Sequence, residues 1–85
     1  MNSKNVPAWL KGCKLMQFVD DRGRYVTCIK LGKQVMPFSY SDEKNGWLKH
    51  AEWCARSFAE ALGITFTLKE MVVMLRRRLV RTWKI

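Results

Sequence analysis

The sequence is short of what most enzymes and most secreted domains need. It has one histidine, only three cysteines, two prolines and seven acidic residues in 85. The single histidine, His50, leaves little material for acid–base chemistry. No serine or cysteine stands in a nucleophile motif, no glycine-rich phosphate loop occurs, and no carboxylates pair near a cleft. Asp20 and Asp21 read as turn formers. We therefore expect no enzyme, no cofactor and no catalytic residue. Cys13, Cys28 and Cys54 are odd in number and contain no Cys-x-x-Cys pair, which argues against a disulfide framework and for reduced thiols in a cytoplasm. His50 and Cys54 are four apart, so they would share a helical face. A zinc site would then have to recruit both Cys13 and Cys28, without the paired spacing of zinc modules, and no metal is expected. The longest apolar run is Met71 to Leu75, far below the roughly 20 residues of a membrane-spanning helix. Met1 to Trp9 lacks the apolar core of a secretory signal.

What is present is positive charge on an apolar chain. Sixteen basic residues give a net charge of +9, and 48% of the residues are hydrophobic. That apolar content excludes a disordered basic tail. The length suits one small domain with a thin core.

The pattern predicts an α+β fold: a three-stranded antiparallel meander followed by two α-helices packed on one face. Residues 1–13 form an N-terminal segment in which Pro7 opens a short turn and Trp9 caps the core. Residues 14–38 carry the meander. Its strands are Leu15 to Val19, Tyr25 to Leu31 and Gln34 to Phe38, with turns at Asp20-Asp21-Arg22-Gly23 and Gly32-Lys33. Pro37 assigns the third strand to an edge. Pairing Leu31 with Gln34 and Val19 with Arg24 places Met16, Phe18, Tyr25, Thr27, Ile29, Met36 and Phe38 on one face. The other face, with Leu15, Gln17, Val26, Cys28, Lys30 and Val35, is expected to be partly exposed.

Residues 41–62 read as a helix. Ser41 is its N-cap, Gly46 its weak point, Gly63 its stop, and Ile64 supplies the hydrophobic contact of the ending. Thr67 to Glu70 has the capping-box pattern, predicting a basic C-terminal helix over 67–83. Val73, Met74 and Val80 widen its apolar stripe beyond one contact face. Such a helix would have a second side free, which would allow a homodimer.

The charge is segregated. Residues 1–38 have seven basic and two acidic side chains, residues 39–70 four and five, and residues 71–85 five and none. Two patches of +5 flank a nearly neutral stretch. Arg76, Arg77, Arg78, Arg81 and Lys84 exceed what a helix C-terminus needs, and Trp83 beside them is a natural binding anchor. Arg22, Arg24, Lys30 and Lys33 form the sheet-side patch. These ten residues are the candidate binding site for nucleic acid, DNA first, or for a protein partner.

The stretch from Gly23 to Leu62 combines a Tyr25 strand, a Gly32 hairpin, the aromatic Phe38 and a helix with Ala51, Ala55 and Ala59. In outline it resembles integrase arm-binding domains and a plant type of three-stranded DNA-binding domain. The resemblance implies DNA binding and transfers no functional residue, and Pro37 interrupts the third strand. Small basic chains of this kind also resemble early phage or prophage products that modulate host nucleases or polymerases. Two functions stand: a nucleic-acid-binding module, or an inhibitor docking on a host enzyme that processes nucleic acid. Attachment of the last helix to a membrane surface ranks behind both, because its apolar stripe is needed for folding.

Overall fold

A computed structural model describes residues 6–85. The reading of the first residues as lacking a signal rests partly on residues 1–5, which lie outside the described part. The fold is α+β, built on a five-stranded antiparallel sheet in the order β4-β3-β2-β1-β5. Its strands are β1 (Lys14–Val19), β2 (Tyr25–Leu31), β3 (Gln34–Ser41), β4 (Phe66–Thr67) and β5 (Arg78–Lys84). Two short helices, α1 (Trp47–Trp53) and α2 (Arg56–Leu62), lie between β3 and β4.

The meander forms where the turn chemistry places it. Gly23 and Gly32 both take positive φ, which the two tight turns require. Asp20 closes the first turn by accepting the Arg22 and Arg24 backbone N–H groups, each at 2.9 Å. Leu31 pairs with Gln34 as expected, but Val19 pairs with Tyr25 rather than Arg24. That one-residue difference turns every side chain of β1 over. Leu15 therefore joins Ile29 and Met36, under Trp47 and Ala51 of α1 and Ala59 of α2. Met16 and Phe18 join Val26, Cys28 and Val35 on the opposite face, under Met71. Both faces are thus buried, so hydrophobicity could not choose the register. The expected open face does not exist. The third strand also runs three residues further than predicted. Pro37 sits opposite Cys28 at a bulge, beyond the two β3 residues that β4 pairs with.

The long helix over 41–62 is replaced by two. Ser41 ends β3, and its Oγ accepts the Glu43 N–H in a local turn instead of capping a helix. Gly46 is a close-approach glycine, because a Cβ there would collide with the Ser41 side chain. Cys54 and Ala55 are extended and separate α1 from α2. Gly63 stops α2 with φ 63, as predicted, while Ile64 behind it is exposed.

The largest correction is the C-terminal helix over 67–83. The capping box does form: Thr67 N–H donates to Glu70 Oε1 at 2.9 Å, and Glu70 N–H donates to Thr67 Oγ1 at 3.1 Å. It opens only a single wide turn, Glu70–Met74, of π-helical form. Arg76 then takes φ 52 and reverses the chain. A non-glycine residue in that region is disfavoured by roughly 1–2 kcal/mol, so the pairing that follows must hold it there. Residues Arg78–Lys84 run antiparallel to β1 as a strand. Val80 is the extra residue at a bulge between the Phe18–Leu79 and Gln17–Arg81 pairs. The over-wide apolar stripe has its explanation here: residues 71–83 are not one helix.

The N-terminal turn, Ala8–Leu10, follows Pro7 as expected. Trp9 Nε1 donates to the Ala51 carbonyl at 3.0 Å and ties that turn to α1.

Candidate nucleic-acid interface

Among the described residues β5 forms one edge of the sheet and pairs with β1. Its ends gather cations from three separate parts of the chain. At one end Lys84 pairs directly with Lys14. Lys30 follows Ile29, the partner of Leu15, so it comes to this same end of the sheet. Like charges opposite one another on a sheet are unfavourable, and among the described residues no carboxylate forms an ion pair with these. The only ion pairs among the described residues are Arg24–Asp20 and Arg56–Glu60. At the other end Arg78 pairs with Val19, and the reversal through Arg76 and Arg77 meets the β1–β2 turn. Asp20, Asp21, Arg22, Arg24, Arg76 and Arg77 line a shallow depression there. Along β5 the two ends are about 20 Å apart at the usual strand rise.

The predicted residues take distinct roles in this arrangement. Arg22, Arg76, Arg78 and Lys84 are exposed at the edge or its ends. Lys33 is exposed at the β2–β3 turn and Lys30 is half-buried. Arg24 is exposed but bound to Asp20 Oδ2 at 3.1 Å. Arg77 is half-buried. Its Nη1 donates to the Leu75 carbonyl at 3.2 Å, while its Nε is buried without a partner.

Arg81 and Trp83 are structural and not part of an exposed anchor. Arg81 Nε donates to Gln17 Oε1 at 3.0 Å, and Arg81 Nη2 reaches Asn45 Oδ1 at 3.2 Å. Its guanidinium lies 4.0 Å from the Trp83 ring centroid. Gln17 is fully buried and completes this network, donating to Thr27 Oγ1 at 3.1 Å and the Lys44 carbonyl at 2.7 Å. Trp83 packs on Trp47, with centroids 5.6 Å apart. The group joins β5, β1, β2 and the loop before α1, and every polar atom of Gln17 is used.

Lys14 was missed by sequence reasoning, since only the β1–β5 pairing brings it beside Lys84. The exposed apolar residues Val72, Val73, Met74 and Leu79 beside Arg76 and Arg78 were visible as a stripe but were assigned to the wrong element.

The thiols do not form a common site. Cys28 lies under Met71 on one side of the sheet, while Cys13 and Cys54 border the core on the other. Burial pushes the Cys28 thiol up to about 12, only partly opposed by the positive charge of Arg77. It is a poor nucleophile at neutral pH. His50 shares a hydrogen bond with Ser39 Oγ through Nδ1. Among the described residues no three metal-ligating side chains converge.

The β1–β2 turn carries a pH dependence. The Arg24 backbone N–H foremost holds the Asp20 carboxyl below its ordinary value of 3.8, with the Arg22 N–H and the Arg24 guanidinium adding to it and desolvation opposing. A carboxyl lowered in the folded state stabilises that state fully above its unfolded value. The contribution is lost as pH falls through the lowered folded value. Asp20→Asn is expected to lower the unfolding midpoint at pH 7, with the gap to the wild type closing as pH falls below 3.8 and through the lowered folded value. Urea titrations of both proteins across that range will check this.

No helix of the described residues is long and apolar enough to cross a membrane. Comparison with protein-family models, with characterised proteins and with solved structures finds no match for this chain.

Proposed function

We propose that this protein binds nucleic acid through its phosphate backbone, along the cationic β5 edge and the two sheet ends that flank it. The observation that carries the reading is the set of exposed cations without carboxylate partners: Lys14 and Lys84 at one end, Arg22, Arg76 and Arg78 at the other. Asp20 and Asp21 border the arginine end as well, but the cations there outnumber them, and an excess of like charge favours an external polyanion. Three of the five are arginines, whose planar fork matches phosphate. Of the exposed rings Tyr40, Trp53 and Phe58, the last two lie away from the cations: Trp53 ends α1 and Phe58 belongs to α2, over the opposite side of the sheet from the Glu70–Met74 turn. Apolar clusters cover both faces of the sheet, which supports contact along the edge over the sheet-face route that the sequence suggested.

Five phosphate contacts give log affinity a slope of roughly −4.5 against log salt on duplex DNA, and roughly −3.5 on a single strand. Binding of random duplex and single-stranded oligonucleotides, followed by anisotropy from low to moderate salt, measures that slope. No detectable binding at low salt removes the reading.

A second reading has its own observation. Val72 and Leu79 line an open groove with Arg76, Arg77 and Arg78, three cations against the single carboxylate of Asp21. Apolar side chains among arginines suit an acidic protein surface better than a phosphate backbone. The protein would then be a modulator of an enzyme acting on nucleic acid. Co-purification after nuclease treatment separates the two: a retained protein partner with no nucleic-acid affinity favours the modulator.

A further inference from the structure

A second apolar surface lies away from the cations. In α2 only Ala59 is buried, while Phe58 and Leu62, one turn apart, face solvent at 60% and 55% exposure. Trp53, at the end of α1, is 80% exposed, and Ile64 behind α2 is 56% exposed. The charges of α2, Arg56 and Glu60, pair with each other at 2.8 Å along another side of the helix. The helix therefore presents apolar side chains outward as well as inward. Four such side chains expose on the order of 400–500 Å² of apolar surface, at the upper end of what a monomer usually shows.

We infer that this surface is the interface of a homodimer. The occupant follows from charge. The chain carries +9, so two copies repel across most of their surface. Residues 47–64 are the exception, with Lys49 and Arg56 balanced by Glu52 and Glu60. Two copies can meet here without opposing like charges. A two-fold interface must also be self-complementary in shape. Beside the protruding Trp53 and Phe58 rings is a cleft of about 230 Å³ lined by Phe38, His50, Trp53, Cys54 and Phe58. A ring and a hole of ring size sit on one face. α2 packs near β3, whereas β5 is at the far edge of the sheet. The dimer thus leaves the cationic β5 edge free.

The test is sedimentation equilibrium of the nuclease-treated full chain in 0.3 M salt, from about 1 µM to about 1 mM, the span in which a small interface associates. The expected result is a weight-average mass rising from the monomer's 10.0 kDa toward twice that value. The double variant Phe58→Glu, Leu62→Glu stays at the monomer mass, and so does Trp53→Ser, whose largely exposed ring meets His50 edge-on at 6.1 Å. Val73→Glu with Met74→Glu, on the other apolar patch, dimerises like the wild type. A wild type that stays monomeric overturns the inference, including one that instead binds vesicles or another protein through this face. So does dimerisation undiminished in Trp53→Ser and the α2 variant, or abolished by the Val73 and Met74 changes. The mass is read without nucleic acid, so this outcome is independent of the proposed function.

Discussion

Replacing Trp47 by alanine will lower the unfolding free energy by about 3–5 kcal/mol, measured by urea denaturation followed by far-UV circular dichroism. Trp47 is fully buried and is the largest side chain in the core. It packs edge-on against Phe38 at 6.4 Å and tilts against Trp83 at 5.6 Å. Phe38 in turn meets Trp9 at 5.6 Å. One side chain thus ties the N-terminal turn, β3, β5 and α1 together. A chain of this length is stable by roughly 4–13 kcal/mol, so the loss is a large part of the whole. Trp47→Phe is expected to cost less than about 2 kcal/mol. It keeps most of the ring and removes an Nε1–H that is buried without a partner. A midpoint for Trp47→Ala within error of the wild type would mean that the helices do not depend on this contact.

The second large effect concerns binding. Changing Lys14, Arg76, Arg78 and Lys84 together to glutamine is expected to weaken nucleic-acid binding at about 0.1 M salt by at least about 100-fold. The salt slope should fall by roughly 3.6 on duplex DNA, at about 0.9 per lost contact. Anisotropy titrations at several salt concentrations give both quantities. Arg24→Gln is the control, because its guanidinium already serves Asp20. It should leave the slope nearly unchanged. Equal losses in the two variants would place the contact elsewhere.

Some of this structure was legible because it is local. Gly23 and Gly32 identified two turns because a tight reversal needs positive φ, and β-branched residues around them identified the strands. Gly63 ended a helix for the same backbone reason. Thr67 and Glu70 formed their reciprocal cap because only three residues separate them. Other parts were not legible because their causes are distant in sequence. The register of β1 was set by Asp20, which takes the Arg22 and Arg24 N–H groups. With apolar residues on both faces, counting hydrophobic positions gave no warning of the slip.

The terminal segment is the clearest case. Met71 to Leu75 and the three arginines have good helix propensity, and a capping box precedes them. Propensity is a weak preference of a few tenths of a kcal/mol per residue. Against it stood the unpaired outer edge of β1 and the Gln17–Arg81 bond between residues 64 apart. Pairing Leu79 to Lys84 with that edge satisfied backbone groups that a helix would have left to solvent.

Composition and local pattern are enough to make this protein small, strongly basic and α+β, with a meander closed by two glycine turns and a nearly neutral middle. Those properties are sums over residues or rules of adjacent backbone. Where the charge goes was a matter of strand pairing. It turned a presumed cationic helix into an edge strand, set Lys84 beside Lys14, and withdrew Arg81 and Trp83 into the fold. Charge is carried by residues, but a site is made by distances between them. Those distances depend on which strands pair.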